Sequence, residues 1–309
     1  MFPKSLSPAQ ALLVAALGII TLCMMDVFAK GMGAAFPTAQ VVLMRYGSAA
    51  CWLALFIVVA RKAWPQRRYL KRHAMRAALM CVTAYFFFYA ITHLPLAIAT
   101  ALAMSAPVYV GVLSALLLKE RARPSVALAV LLGLAGGAVV IFGGDGSPSA
   151  TGEASVLAWM AAILTPMSYA LALVLLKSHS SDENAASMIF AQSALAAAIA
   201  LPFAVPGFVV PDGDQWLPIA VVGFLGALGL LLFVAALRYL PASIFALVDY
   251  TALIWAAGLG FLVFGEVPGL SLGAGGALII AACFIGMRAA RASTGAPATR
   301  LDGLSDGRT

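Results

Sequence analysis

Four charged side chains sit where charge is expensive. Asp26, Arg45 and Asp249 each fall within an apolar run long enough to cross a bilayer, and Lys30 lies just past the end of the first. A charge at mid-depth costs about 2.5–3.5 kcal/mol on insertion scales. Groups of this kind bind a charged cargo, carry a proton or neutralise one another. Lys30 follows Asp26 by one helical turn in the favourable acidic-before-basic order, and its stem is long enough to snorkel to the nearer interface. Arg45 lies about two turns into the next run, which starts at Thr38; at about 1.5 Å per residue, an antiparallel return brings it within a turn or two of the depth of Asp26. An Asp26–Arg45 pair is therefore expected. It reads either as a structural bridge locking one hairpin or as a gating or cargo-facing pair. Asp249, in "LVDYTALIW", has Arg238 as its nearest candidate partner. It reads as one arm of a bridge or as a ligand for a cargo amine or a proton. Glu120 and Glu266 each close an apolar run just before a proline, Pro124 or Pro268, that opens the next. A carboxylate there accepts hydrogen bonds from the free N–H groups of that next helix, which is a structural role.

Aromatic residues supply the rest of a candidate binding surface. Tyr85 and Tyr89 are one turn apart, Tyr109 and Trp255 occupy matching positions in two runs, and Tyr250, Trp159 and Tyr169 add polar-tipped rings. Met104 and Ser105 complete the candidate lining. Trp52, Trp64 and Trp216 are assigned to interfacial belts. Aromatic walls with few polar groups and one or two charges suit a small zwitterion or an amphipathic metabolite. A phosphorylated cargo asks for more buried Lys and Arg than this chain has, unless Arg45 serves alone.

Other chemistries find no home. Cys23, Cys51, Cys81 and Cys283 lie far apart inside apolar runs, with neither metal-ligand spacing nor a disulfide framework. His73, His93 and His179 have no acidic or cysteine partner at motif distance. No nucleophile–base order or phosphate-binding glycine loop appears, so the reading is a non-enzyme without metal or cofactor. An intramembrane enzyme would need His, Asp or Ser clustered at one depth, and the two aspartates lie in opposite halves. The net charge of +7 does not indicate nucleic acid, because the basic residues sit in short connectors between apolar runs.

Elements that position these residues follow from composition. The 309 residues are 63% hydrophobic and 10% charged, against about a quarter charged in a soluble domain. Spans are read near 9–29, 38–60, 74–92, 97–118, 125–143, 154–176, 186–206, 216–237, 243–264 and 270–289. The first is too long for a signal peptide and lacks a small-residue cleavage site. Arg61, Lys62, Arg67, Arg68, Lys71, Arg72 and Arg76 crowd one connector, and Lys119, Arg121, Arg123, Lys177, Arg238 and the tail arginines fall on the same side. The positive-inside rule then places both termini in the cytoplasm of a bacterial-type inner membrane. Gly133 with Gly137, Gly269 with Gly273, and the series Gly223, Gly226 and Gly229 are read as close-packing positions, the last stripe alternatively as a sliding surface.

The chain also repeats. "YAITHLPLAIATALAMSAPVYVGVLSALLLKE" (89–120) aligns without gaps with "AALRYLPASIFALVDYTALIWAAGLGFLVFGE" (235–266) at an offset of 146, matching the Leu-Pro turn and the terminal Glu. Five spans per repeat is odd, so the second half, 147–309, crosses in the opposite sense to the first, 1–146. Inverted repeats build secondary transporters with a mid-depth site between the halves.

Those segments, together with "MRYGSAACWLAL" (44–55), resemble the EamA-type transporters of the drug/metabolite transporter superfamily over about residues 9–288. The resemblance implies an all-α integral membrane protein: ten helices in two inverted five-helix repeats around a central cavity. The third, fourth, eighth and ninth helices line that cavity, with the first and sixth nearby. It implies alternating-access movement of a small organic metabolite among membrane lipids, with an aromatic or hydrophobic amino acid as the first-choice cargo for export. Other amphipathic metabolites, nucleosides and lipid-linked head groups are the alternatives, and the expected state is a monomer or weak homo-oligomer. One departure stands out. A proline frequent in the family appears as Pro107 in the first repeat but as Leu253 in the second, so the two central helices are expected to kink differently.

Overall fold

In hydrocarbon each backbone group must bond within its own segment, so the apolar runs fold as helices. The computed structural model describes residues 8–106, 109, 113, 124–142, 156–176, 184–237 and 248–294. Among the described residues the α-helices are α1 (Pro8–Met32), α2 (Thr38–Val59), α3 (Leu70–His93), α4 (Leu96–Ala103) and α5 (Pro124–Phe142). The second half contributes α6 (Val156–Leu176), α7 (Ala185–Ala204), α8 (Trp216–Leu237), α9 (Thr251–Phe264) and α10 (Leu270–Thr294). Five described helices (α1, α2, α3, α7 and α8) are long and apolar enough to cross a membrane.

The packing is that of two interleaved halves. The α1 helix packs on α8, and its counterpart α6 packs on α3; α2 contacts α8 as α7 contacts α3; α1 meets α9 as α6 meets α4. Three pairs are their own mirror images: α2 with α7, α4 with α9, and α5 with α10. Hydrogen bonds repeat this relation. In the first turn of α2, Gln40 donates from Nε2 to the Val209 carbonyl (2.5 Å) and accepts from Val209 N–H (2.9 Å), in the connector after α7. In the first turn of α7, Ser187 donates to the Ala63 carbonyl, in the connector after α2. Each helix is thus tied at its start to the far end of the other, so α2 and α7 run antiparallel and the two repeats are inverted.

Glycine sets the closest approach of α5 and α10, but at positions other than those expected. A Cβ on Gly136 would stand 2.8 Å from the Gly275 carbonyl oxygen, and one on Gly275 would stand 2.6 Å from that of Gly136. Gly273 has open space, and Gly137 meets only Leu102 at 3.6 Å. The four-residue spacing picked out glycines, but helix rotation selects which ones face the partner. The stripe Gly223, Gly226 and Gly229 is closely occupied: by Ser48 of α2, by Met25 with Arg45, and by Leu22 of α1.

Pro107, where the first central helix was expected to kink, lies outside the described residues, but just ahead of it the central helices carry matched turns. The regular α-helix of α4 is interrupted at Met104 and Ser105 and resumes at Ala106; in the second half the turn at Tyr250 separates helical Val248 and Asp249 from α9. Met104 and Tyr250 are equivalent positions of the repeat. In both, a hydroxyl at the next residue bonds back to the carbonyl three residues earlier, Ser105 to Leu102 and Thr251 to Val248, each at 2.6 Å. The break therefore recurs without a proline in the second half, because a side-chain hydroxyl supplies the local alternative partner.

Candidate functional site

At the end of the bundle where α1, α3 and α9 finish, Lys30 does not rest on Asp26. Its Nζ lies 2.7 Å from Glu266 Oε1 and donates to the Leu94 carbonyl at 2.5 Å. The other carboxylate oxygen of Glu266 accepts the Leu96 N–H, at the start of α4, at 2.7 Å. The expectation that Glu266 caps the helix that follows it is thereby corrected, since it caps a helix of the other half. The cause lies in the end of α9. Gly265 adopts φ 69°, a left-handed conformation suited to glycine, and the Glu266 N–H turns back onto the Gly260 carbonyl at 3.2 Å. A Cβ on Gly260 would stand 2.7 Å from Glu266 Oε2, so the missing side chain makes room for the carboxylate. Lys30 and Glu266 are 12% and 17% exposed, which makes this a largely buried pair with further hydrogen bonds on both partners.

One turn deeper lies an ionic arrangement of a different kind. Arg45 is 7% exposed and Nη1 has no hydrogen-bond partner; Asp26 Oδ1 is likewise buried and unpartnered. The two charges lie within electrostatic reach of each other without closing the expected bridge. Instead, Arg45 Nε donates to Met25 Sδ at 3.4 Å, and the guanidinium lies 4.1 Å from the Tyr46 ring centroid. Tyr46 is anchored in turn by its hydroxyl on the Met80 carbonyl at 3.2 Å. A Cβ on Gly226 would stand 3.0 Å from Met25 Sδ and 3.7 Å from Arg45 Nε, so α8 passes as a bare backbone beneath the pair.

From there a line of polar groups continues toward the opposite end. Arg76 of α3 donates from Nη1 to Met188 Sδ of α7 at 2.9 Å and lies in electrostatic reach of Tyr46 and Tyr169. Asp249 lies within electrostatic range of Tyr169 and of Cys23, and Asp26 within that of Cys23. The Cys23 thiol donates to the Ala252 carbonyl at 3.7 Å, joining α1 to the second half just past the break at Tyr250. The hydroxyls of Thr83 and Ser168 meet at 3.1 Å between α3 and α6. Both repeats therefore contribute to one polar core.

Among the sequence-derived candidates, this core unites Asp26, Arg45, Asp249 and Tyr169, with buried Ser105 and Tyr250 and half-buried Met104 at the helix breaks. Trp159 packs against the main apolar core. Tyr85 stacks on Tyr89, and Tyr89 on His93 at 4.3 Å, in a ladder along α3; Tyr85 and Trp255 are exposed on the protein surface. Tyr109 is half-buried. Glu120 and Arg238 lie outside the described residues. Sequence reasoning missed Tyr46, Arg76 and Cys23 as site residues. Arg76 was counted as a connector charge because α3 starts at Leu70, earlier than its apolar run, and so carries Arg76 within the helix.

A separate cavity of about 430 Å³ lies among α1, α8 and α9, lined by Met24, Phe28, Met32, Leu259, Val263 and Phe264, with Gln215 at its polar edge. It is apolar and shares no residue with the charged core.

Comparison with known proteins agrees with this architecture. The profile of the EamA-like transporter family matches twice, over residues 9–142 and again over 156–288. The chain belongs to the EamA-like transporter family. The pseudopaline exporter CntI of Pseudomonas aeruginosa (strain UCBPP-PA14) is 29% identical over 276 residues, 89% of this chain and 94% of that protein. The S-adenosylmethionine uptake transporter of Rickettsia prowazekii (strain Madrid E) is 23% identical over 266 residues, 86% of this chain and 88% of that protein. A solved crystal structure superposes with a TM-score of 0.60 at 19% identity, covering 93% of this chain and 99% of its own, a likeness of fold. This EamA-like transporter is therefore a multi-pass membrane protein of two repeats, related to carriers of small metabolites.

Proposed function

We propose that this EamA-like transporter exports a small amphipathic metabolite by alternating access, with an aromatic or hydrophobic amino acid as the first candidate cargo. On this reading it resides in a bacterial inner membrane with both termini cytoplasmic, and residues 1–146 and 147–309 act as the two moving halves. The observation that carries the reading is a charged core where the repeats interleave, with buried Arg45 and partly buried Asp26 and Arg76 of one half near partly buried Tyr169 and Asp249 of the other. Buried ionisable groups in a membrane bundle mark cargo or ion paths. Helices broken near mid-depth, such as those at Met104 and Tyr250, are where carriers of this construction hold cargo. The exporter CntI supports movement outward and the S-adenosylmethionine carrier movement inward, so export rests on the first relative and is part of the proposal.

Purified protein in liposomes tests it. Labelled aromatic amino acids are expected to show saturable flux that unlabelled cargo competes away. No flux for amino acids, nucleosides or other amphipathic metabolites would refute the proposal. A second reading, movement of lipid-linked head groups, draws on the apolar cavity among α1, α8 and α9, which suits an acyl chain. Scrambling of labelled lipid without amino-acid flux would favour that alternative.

A further inference from the structure

Arg45 is a guanidinium held in place without an anion. Its Nε is spent on the weak thioether acceptor of Met25, its face is covered by Tyr46, the Gly226 backbone runs beneath it, and Nη1 is buried and unpartnered. Guanidinium forks match carboxylates bidentately, and a buried cation left on soft acceptors is under-compensated. Asp26 presents the complementary lack, a buried carboxylate oxygen with no donor. The opposite charges lie within electrostatic range but do not come within ion-pair distance of each other. The helix that carries Asp26 is fixed at both levels, since Lys30 is committed to Glu266 and Cys23 to the Ala252 carbonyl. Lys30 is therefore not available to satisfy Asp26.

We infer that the gap between Arg45 and Asp26 is the head-group site for a zwitterion, with the cargo carboxylate on Arg45 and its ammonium on Asp26. This inference rests on the transport reading above and narrows its cargo to molecules carrying both groups close together. The rest of the cargo then extends along the polar line toward Tyr46, Tyr169 and the helix break at Tyr250.

The test uses the full chain in proteoliposomes, with counterflow of labelled L-phenylalanine and three unlabelled competitors. These are L-phenylalanine, phenethylamine, which lacks the carboxylate, and 3-phenylpropionate, which lacks the amine. Wild-type protein should prefer the zwitterion over either analogue by about ten- to a hundredfold, the value of one charge-assisted hydrogen bond. Asp26→Asn should abolish discrimination against 3-phenylpropionate and retain that against phenethylamine; Arg45→Gln should do the reverse. This crossed pattern is one a purely structural pair would not produce. Where a variant folds poorly, the wild-type ranking of the three competitors decides. The inference is overturned if the analogues compete as well as phenylalanine, or if both variants weaken all competitors alike. Transport of some other, non-zwitterionic metabolite that ignores both substitutions also overturns it, while leaving the transport reading intact. Absence of flux for every metabolite class removes both.

Discussion

Lys30 and Glu266 answer the cost of a buried charge in the most complete way this chain offers. Each charge faces the other at 2.7 Å, and each has a backbone partner besides. Removing one charge from such a pair strands the other, so Glu266→Gln is expected to destabilise by about 3 kcal/mol, the low end for a broken buried pair, because the amide oxygen still accepts from Leu96. Lys30→Met should cost a similar amount, and the double variant less than the two together. Thermal unfolding of the purified variants in detergent reads this coupling, and additive losses would show that the pair contributes nothing jointly. Arg45 and Asp26 stand in contrast, since they occupy similar depth without meeting. The depth was legible in the sequence, because rise per residue and antiparallel return fix it. The partner was not. Pairing depends on which way each side chain leaves its helix, and on Gly265 turning Glu266 back toward Lys30.

At the scale of the helix, several boundaries followed from apolar run length: α8 spans 216–237 as read, and α5 begins at Pro124, one residue before its reading, while the spans read at 97–118 and 243–264 lie in part outside the described residues. Two features did not follow. The first is the hidden rotation of α5 and α10, where Gly136 and Gly275 rather than their glycine neighbours face each other. Gly275→Val should force the helices apart, since a Cβ there meets Val140 Cγ2 at 2.5 Å and, just behind it, the Gly136 carbonyl oxygen at 2.6 Å, which cannot yield. The expected loss is about 1–3 kcal/mol or more, read as a lower detergent melting temperature. Gly273→Val, into open space, should stay within about 0.5 kcal/mol of wild type. Equal effects at the two sites would refute the packing described. The second feature is the matched break of the central helices. The proline at 107 lies outside the described residues, whereas the hydroxyls of Ser105 and Thr251 act in the same register. The mark of the symmetry was a small polar residue in an apolar run, a weaker signal than a proline.

At the scale of the molecule, the repeat visible as a matched Leu-Pro turn and terminal Glu becomes an interlocked pair of bundles. In each, the first helix packs in the opposite half. In the proposed alternating-access cycle, that interleaving is a physical reason for the halves to shift against each other on cargo release, because the polar core is built from both. The Lys30–Glu266 knot fastens the start of α4 to the end of α9, and so closes one end of the core. Leu96 Cβ lies 3.6 Å from where a Gly260 Cβ would stand, within the range of a disulfide; because that Cβ also displaces the Glu266 carboxylate, the reduced double variant and not the wild type is the reference. The decisive measurement is counterflow by Leu96→Cys/Gly260→Cys protein in liposomes, with the four native cysteines replaced. Oxidation is expected to stop exchange and reduction to restore it, because the proposed cycle parts the start of α4 from the end of α9. Exchange that runs equally fast in the oxidised and reduced protein would contradict passage of cargo between the two halves.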